Sequence, residues 1–140
     1  MTFLLNDQSI NSKNLKWVHS LSAGIDAYVP ALDFVNSPIP LTNVKGAFSA
    51  VLGEFIALGM LFHSKKVPYF QLVQKDNHWA PVEVELVSNK TMVIIGFGDI
   101  GAACGKIIKA FGTKVIGLKR RPDQVTDEDR LCADEILGMD

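Results

Sequence analysis

The chain has 140 residues, 48% hydrophobic and 21% charged, a globular composition sufficient for one ordinary domain or pieces of two. Its net charge of −1 and pI of about 6.3 give no reason to expect a nucleic-acid partner, although Lys119-Arg120-Arg121 forms a local basic patch. The longest apolar run, Phe55 to Phe62, falls well short of the roughly 18 residues of a membrane span, and Met1 to Asp7 lacks the basic and apolar regions of a signal peptide, so a cytoplasmic protein without a membrane partner is expected.

In chain order, Leu15 to His19 reads as a short strand that runs into a small-residue turn, Ser20-Leu21-Ser22-Ala23-Gly24. Open α/β sheets bind ligands at such strand ends. Leu32 to Val35 reads as a second short strand, and Asn36-Ser37-Pro38-Ile39-Pro40 as a breaker between domains. Phe48 to Phe62 has helical spacing, with Phe48, Val51, Leu52, Phe55, Gly59 and Phe62 on one stripe. Ile56, Leu58, Met60 and Leu61 widen that stripe, which predicts a helix buried on most sides. His63 to Asn89 shows no regular pattern.

The pattern sharpens after residue 90. Thr91 to Ile95 is an apolar, β-rich run of the kind found in buried parallel strands. A helix follows, with Ile100, Ala103, Cys104, Ile107, Ile108 and Phe111 on one face and Gly112 as its stop. Lys114 to Leu118 is a second strand. Strand, glycine turn, helix and strand make a β-α-β unit.

The turn itself reads Gly96-Phe97-Gly98-Asp99-Ile100-Gly101. A G-x-G-x-x-G motif between a strand and a helix is a dinucleotide-binding fingerprint. Gly96 permits the tight turn, Gly98 lets a pyrophosphate approach the backbone, and Gly101 lets helix and strand pack closely. The helix N-terminus turns unpaired N–H groups towards the phosphates. About 20 residues further on, NAD-binding chains carry an acid that bonds the ribose 2′-hydroxyl. Here Lys119 holds that place, followed by Arg120 and Arg121, which suit a 2′-phosphate. The cofactor read from these residues is NADP rather than NAD.

Other candidates read as structural. Cys104 and Cys132 match no zinc or redox spacing and are expected to be reduced thiols, Cys104 in the helix–sheet contact. His19, His63 and His78 are not spaced as metal ligands, and no metal is expected. Glu54 reads as a partnered carboxylate in an apolar helix, and neither Ser22 nor Ser49 has an adjacent base that would make it a nucleophile.

Three segments in order resemble the D-isomer-specific 2-hydroxyacid dehydrogenases, the family of phosphoglycerate dehydrogenase and glyoxylate/hydroxypyruvate reductase. They are Ser20 to Asp26, Asn43-Val44-Lys45-Gly46 through Gly53-Glu54, and Ile94 to Gly101 with Ala110 to Gly117. Gly53 stands where the family has alanine, His63-Ser64-Lys65 where an arginine often closes the interdomain helix, and Lys119 where an aspartate is common. The resemblance implies a Rossmann-type NAD(P)-binding core in residues 43–140 and part of a flavodoxin-like substrate domain in residues 1–42.

It also implies reduction of a 2-oxo acid such as glyoxylate or hydroxypyruvate to a D-2-hydroxy acid, or the reverse. Main-chain N–H groups of Ser22, Ala23 and Gly24 would hold the substrate carboxylate. The family's catalytic arginine, glutamate and histidine are expected downstream of Asp140, so no catalytic residue is assigned and the 140-residue chain alone is expected to be inactive. A homodimer is implied for the full-length protein. A dinucleotide-sensing module that catalyses nothing uses the same scaffold, and fold alone does not separate the two.

Overall fold

The computed structural model describes residues 14–26, 28 and 38–139. The expected strand at Leu32–Val35 and the residues Asn36-Ser37 of the breaker lie outside the described residues. The chain divides into two compact units, Met1–Ala47 and Phe48–Asp140. The division falls after Ala47.

In the first unit β1 (Val18–Ser20) and β2 (Leu41–Asn43) pair in parallel, with Val18 opposite Leu41 and Ser20 opposite Asn43. The strand expected at Leu15–His19 thus begins later. Trp17 lies outside it, exposed, and its indole N–H donates to Thr42 Oγ1 at 2.9 Å. β2 was not foreseen. A three-residue strand whose partner lies more than 20 residues away leaves no local periodicity to read.

The second unit opens with α1 (Ser49–Ser64) and α2 (Val67–Lys75), then a 3-10 turn at Val87–Asn89. β3 (Thr91–Ile95), α3 (Asp99–Lys109), β4 (Lys114–Leu118), α4 (Asp127–Cys132) and β5 (Glu135–Leu137) follow. The strands form one parallel sheet in the order β3-β4-β5, with Ile94, Gly117 and Ile136 in register. Both strands and the helix expected between residues 91 and 118 are present. Gly112 closes the helix in the left-handed region, at φ +76°.

Four readings need correction. The segment 63–89, read as irregular, contains α2. Pro68 sits in the first turn of that helix, where its missing N–H costs nothing. The aromatic and aliphatic stripe of α1 faces outward, with Val51, Phe55 and Leu58 each at least 60% exposed. The buried face is instead Ser49, Gly53 and Ala57, a small-residue stripe that lets α1 pack closely on α3. A Cβ on Gly53 would stand 2.6 Å from Ile107 Cδ1, which accounts for glycine there. Glu54, expected to be partnered, is exposed. Finally, among the described residues β3 is an edge strand, and its Thr91, Val93 and Ile95 face is open.

The core lies between the sheet and α3. Phe97, Ile108, Val115, Ala133 and Ala57 are buried there, with Met60, Met92, Ile94, Ile107 and Ile136 packed against them. Met92 and Val115, opposite each other, and the Ile94–Gly117–Ile136 row all present the same sheet face. The other face carries Val93, Ile95 and Leu137, all exposed. Apolar residues on both faces made these strands read as doubly buried.

α4 and β5 were not foreseen, although Thr126-Asp127-Glu128-Asp129 signals a helix start. Thr126 and Asp129 form a reciprocal capping box. The Asp129 carboxylate also accepts from Lys119 Nζ at 2.5 Å, and this bond, with the Thr126 backbone N–H, holds its pKa below the ordinary aspartate value. Asp134 is lowered too, by the Val115 backbone N–H at 2.7 Å and by Lys109 at 2.9 Å. A carboxylate more acidic in the folded chain stabilises it at pH values above its unfolded pKa, and that contribution is lost as the pH falls through the folded one. Resistance to urea is therefore expected to fall below about pH 4. Asp129→Asn should make that acid limb shallower. An equally steep limb in the variant would show that α4 is held by other contacts.

Candidate functional site

The glycine turn is fastened to the sheet. Gly96 and Phe97 both donate their N–H groups to the Leu118 carbonyl, at 3.0 and 2.8 Å. Gly96 has φ +90°, a conformation that side-chain-bearing residues rarely adopt. Gly101 is buried, and a Cβ there would come within 2.6 Å of the Gly96 carbonyl oxygen. These two glycines meet needs of the chain itself.

Gly98 is different. Its φ of −99° and ψ of −154° suit any residue, and a Cβ on it would meet nothing within 4 Å. It caps α3, whose first bond runs from Ala102 N–H to the Gly98 carbonyl at 2.8 Å. The N–H groups of Asp99, Ile100 and Gly101 come before that bond in the first helical turn, beside an open surface. Donors at the positive end of a helix dipole, next to a residue with no Cβ, form a cradle that fits a phosphate.

Phe97 turns the other way. Its side chain is fully buried in the core, so only its backbone belongs to the turn. Two glycines outside the motif border the ring: a Cβ on Gly117 would lie 2.5 Å from it, whereas one on Gly105 would first strike the Cys132 carbonyl oxygen, at 2.3 Å, and lie 3.2 Å from Phe97 Cε2. Neither was singled out from sequence. Their spacing matches no motif, and their role depends on a partner in another element. Ile100 is exposed at 44%, on the open side of the helix start.

Asp99 shows a second feature not foreseen. Its Oδ2 accepts a hydrogen bond from the hydroxyl of Ser49, which is buried at the start of α1. The bond spans 50 residues and joins the first turns of two helices.

At the end of β4, Lys119 keeps its backbone in the sheet, donating to the Leu137 carbonyl at 2.9 Å, and pairs its ammonium with Asp129. Arg120 and Arg121 are exposed. Among the described residues neither guanidinium is in an ion pair.

In the first unit the turn after β1 is pinned from two sides. Ser20 Oγ, fully buried, donates to the Ser22 carbonyl at 2.9 Å and accepts from the Ser22 N–H at 3.1 Å. Asn43 Nδ2 donates to the Ala23 carbonyl at 2.7 Å. Ser22, Ala23 and Gly24 are themselves exposed, and the Ser22 N–H is already committed to Ser20.

His19, His63 and His78 are exposed and sit on separate elements, His19 with its Nδ1 2.7 Å from Thr42 Oγ1. No group of three or more His, Cys, Asp or Glu among the described residues is arranged to hold a metal ion. Both cysteines are free thiols, and burial pushes the Cys104 thiol pKa up. No helix among the described residues is long and apolar enough to cross a membrane.

Comparison with known proteins adds to this geometry. Residues 57–138 match the family model described as "D-isomer specific 2-hydroxyacid dehydrogenase, NAD binding domain". A D-lactate dehydrogenase of Staphylococcus epidermidis is 32% identical over 117 residues, covering 81% of this chain and 35% of its own length. A glyoxylate/hydroxypyruvate reductase A of Serratia proteamaculans is 28% identical over 120 residues, 82% of this chain and 38% of its own. The chain thus spans little more than a third of these relatives. A crystal structure of a D-isomer specific 2-hydroxyacid dehydrogenase from Xanthobacter autotrophicus, in complex with NADPH and MES, superposes with a TM-score of 0.69. It is 26% identical, and the match covers 91% of this chain and 38% of that one.

Proposed function

The chain belongs to the D-isomer-specific 2-hydroxyacid dehydrogenases, and from that premise we propose that it carries the NADP-binding part of an enzyme that interconverts a 2-oxo acid and a D-2-hydroxy acid. The observation that carries this reading is the cradle at Gly98, where the fold leaves space that the chain does not use. The bound cofactor would supply hydride exchange with the substrate carbon. The chain's own contribution is to bind and orient. Main-chain N–H groups at the start of α3 hold the pyrophosphate, and Gly98 admits it. Gly96, Phe97 and Gly101 set the shape of the turn, Phe97 through its buried ring.

Preference for NADP is assigned to Arg120 and Arg121, whose exposed guanidiniums suit bidentate contact with a 2′-phosphate. Lys119 is held by Asp129, so its part is to keep a repelling carboxylate out of that position. Ala23 and Gly24 offer N–H groups for a substrate carboxylate such as that of glyoxylate or hydroxypyruvate, with Asn43 and Ser20 shaping the turn around them. Ser22 shares that role through its place in the turn. The exposed apolar face of α1 (Val51, Phe55 and Leu58) is the surface this reading gives to a homodimer contact.

Titration with both cofactors tests the reading. NADP is expected to bind on the order of 10- to 100-fold more tightly than NAD, with the margin shrinking as salt is added. Arg120→Ala should weaken NADP more than NAD. Equal affinities for the two, or equal losses in the variant, would remove the phosphate role of Arg120.

A further inference from the structure

Within the dinucleotide reading, the contact between Ser49 and Asp99 poses a problem of charge. Asp99 is the first residue of α3, next to Gly98, where a pyrophosphate would bring negative charge. An acid at a helix start is favourable in the empty protein because it meets the positive end of the dipole. Once an anion occupies the same end, that carboxylate becomes a repelling neighbour. The sequence therefore places an acid where a second negative group has to come.

The structure shows where the carboxylate goes. Its Oδ2 is bonded to the Ser49 hydroxyl, and Ser49 is only 8% exposed, held between helices at the start of α1. Ser49 belongs to the same small-residue face as Gly53 and Ala57, which sets how closely α1 approaches α3. A serine on that face is small enough for the packing and still supplies a donor. Asp99 is thus turned towards α1.

We infer that Ser49 is a positioning residue for dinucleotide binding: its hydroxyl holds the Asp99 carboxylate against α1 and away from the anion at the α3 N-terminus. This rests on the proposed cofactor site and adds to it a residue from a helix outside the glycine motif. Losing the hydroxyl frees the carboxylate to swing over the helix start, so binding suffers through charge. The fold keeps its packing, because alanine fills nearly the same space on the small-residue face.

The test is a set of three proteins in the full chain: wild type, Ser49→Ala and Ser49→Ala/Asp99→Asn. Each is titrated with NADPH by calorimetry at low and at raised salt, with thermal melting as a check on folding. Ser49→Ala is expected to weaken binding about three- to tenfold at low salt, with the loss shrinking as salt screens the repulsion. Removing the charge as well should restore the affinity. Unchanged binding in Ser49→Ala overturns the inference. So does a loss that persists in the double variant or ignores salt, because that pattern belongs to disturbed packing. Absence of binding by the wild type overturns the cofactor reading itself and this inference with it, whereas wild-type binding with an unaffected Ser49→Ala overturns this inference alone.

Discussion

Gly98→Val is expected to abolish dinucleotide binding while the chain stays folded. The backbone does not require glycine, since Gly98 is extended with a negative φ of −99°. No clash arises within the protein, since the space around the new Cβ is empty. The cost to stability should be about 1 kcal/mol or less, the ordinary cost of a poor helix cap. The affinity loss should reach 100-fold or more, about 2.7 kcal/mol, because three added carbons stand where the pyrophosphate must approach the backbone. Gly101→Val provides the contrast, because its Cβ strikes the Gly96 carbonyl and the fold itself should suffer. Calorimetric titration of the folded Gly98 variant decides the matter. Affinity equal to wild type would mean that the open space at Gly98 faces no ligand.

The largest effect on stability is expected from Phe97→Ala. The ring is fully buried, and Gly117 leaves the space it fills. Removing it leaves a cavity that Gly117 has no side chain to fill, and the sheet cannot collapse into it without breaking its register. Such truncations cost about 3–5 kcal/mol. That is a large share of the roughly 5–15 kcal/mol typical of a whole domain. Urea unfolding should show a midpoint shifted far down or no cooperative transition, and cofactor binding should fail with it. A cost under about 1 kcal/mol would mean that the neighbouring helices close over the gap, contrary to ordinary core behaviour.

The parts of this chain that were legible from sequence are those with local signatures. The β3–turn–α3–β4 unit was readable because a short apolar strand, a glycine motif and a helical stripe follow one another without interruption. The cofactor class followed from the same stretch. What escaped reading depended on partners distant in sequence. β2 is three residues long and is defined only by its pairing with β1. The inner face of α1 is the small-residue face, because Gly53 must admit Ile107. Hydrophobicity marked the opposite side as the core. Lys119 looked like a free cation until Asp129, ten residues on, was placed beside it by the start of α4. Ser49 had no chemical role in sequence because its partner lies 50 residues away.

The inward ring of Phe97 has a consequence for motion. The turn cannot open alone, because the Phe97 ring is anchored in the hydrophobic interior against the buried Gly117. Local breathing there would require pulling an aromatic side chain out of the core. The turn thus belongs to the same cooperative unit as the interior strands, unlike loops that fray independently. The amide hydrogens of Gly96 and Phe97, both bonded to the Leu118 carbonyl, are expected to exchange with solvent only through openings large enough to release the Phe97 ring. The shape of the turn is thus set by the core and by the sheet, which ties any capture of an anion there to the integrity of the whole fold.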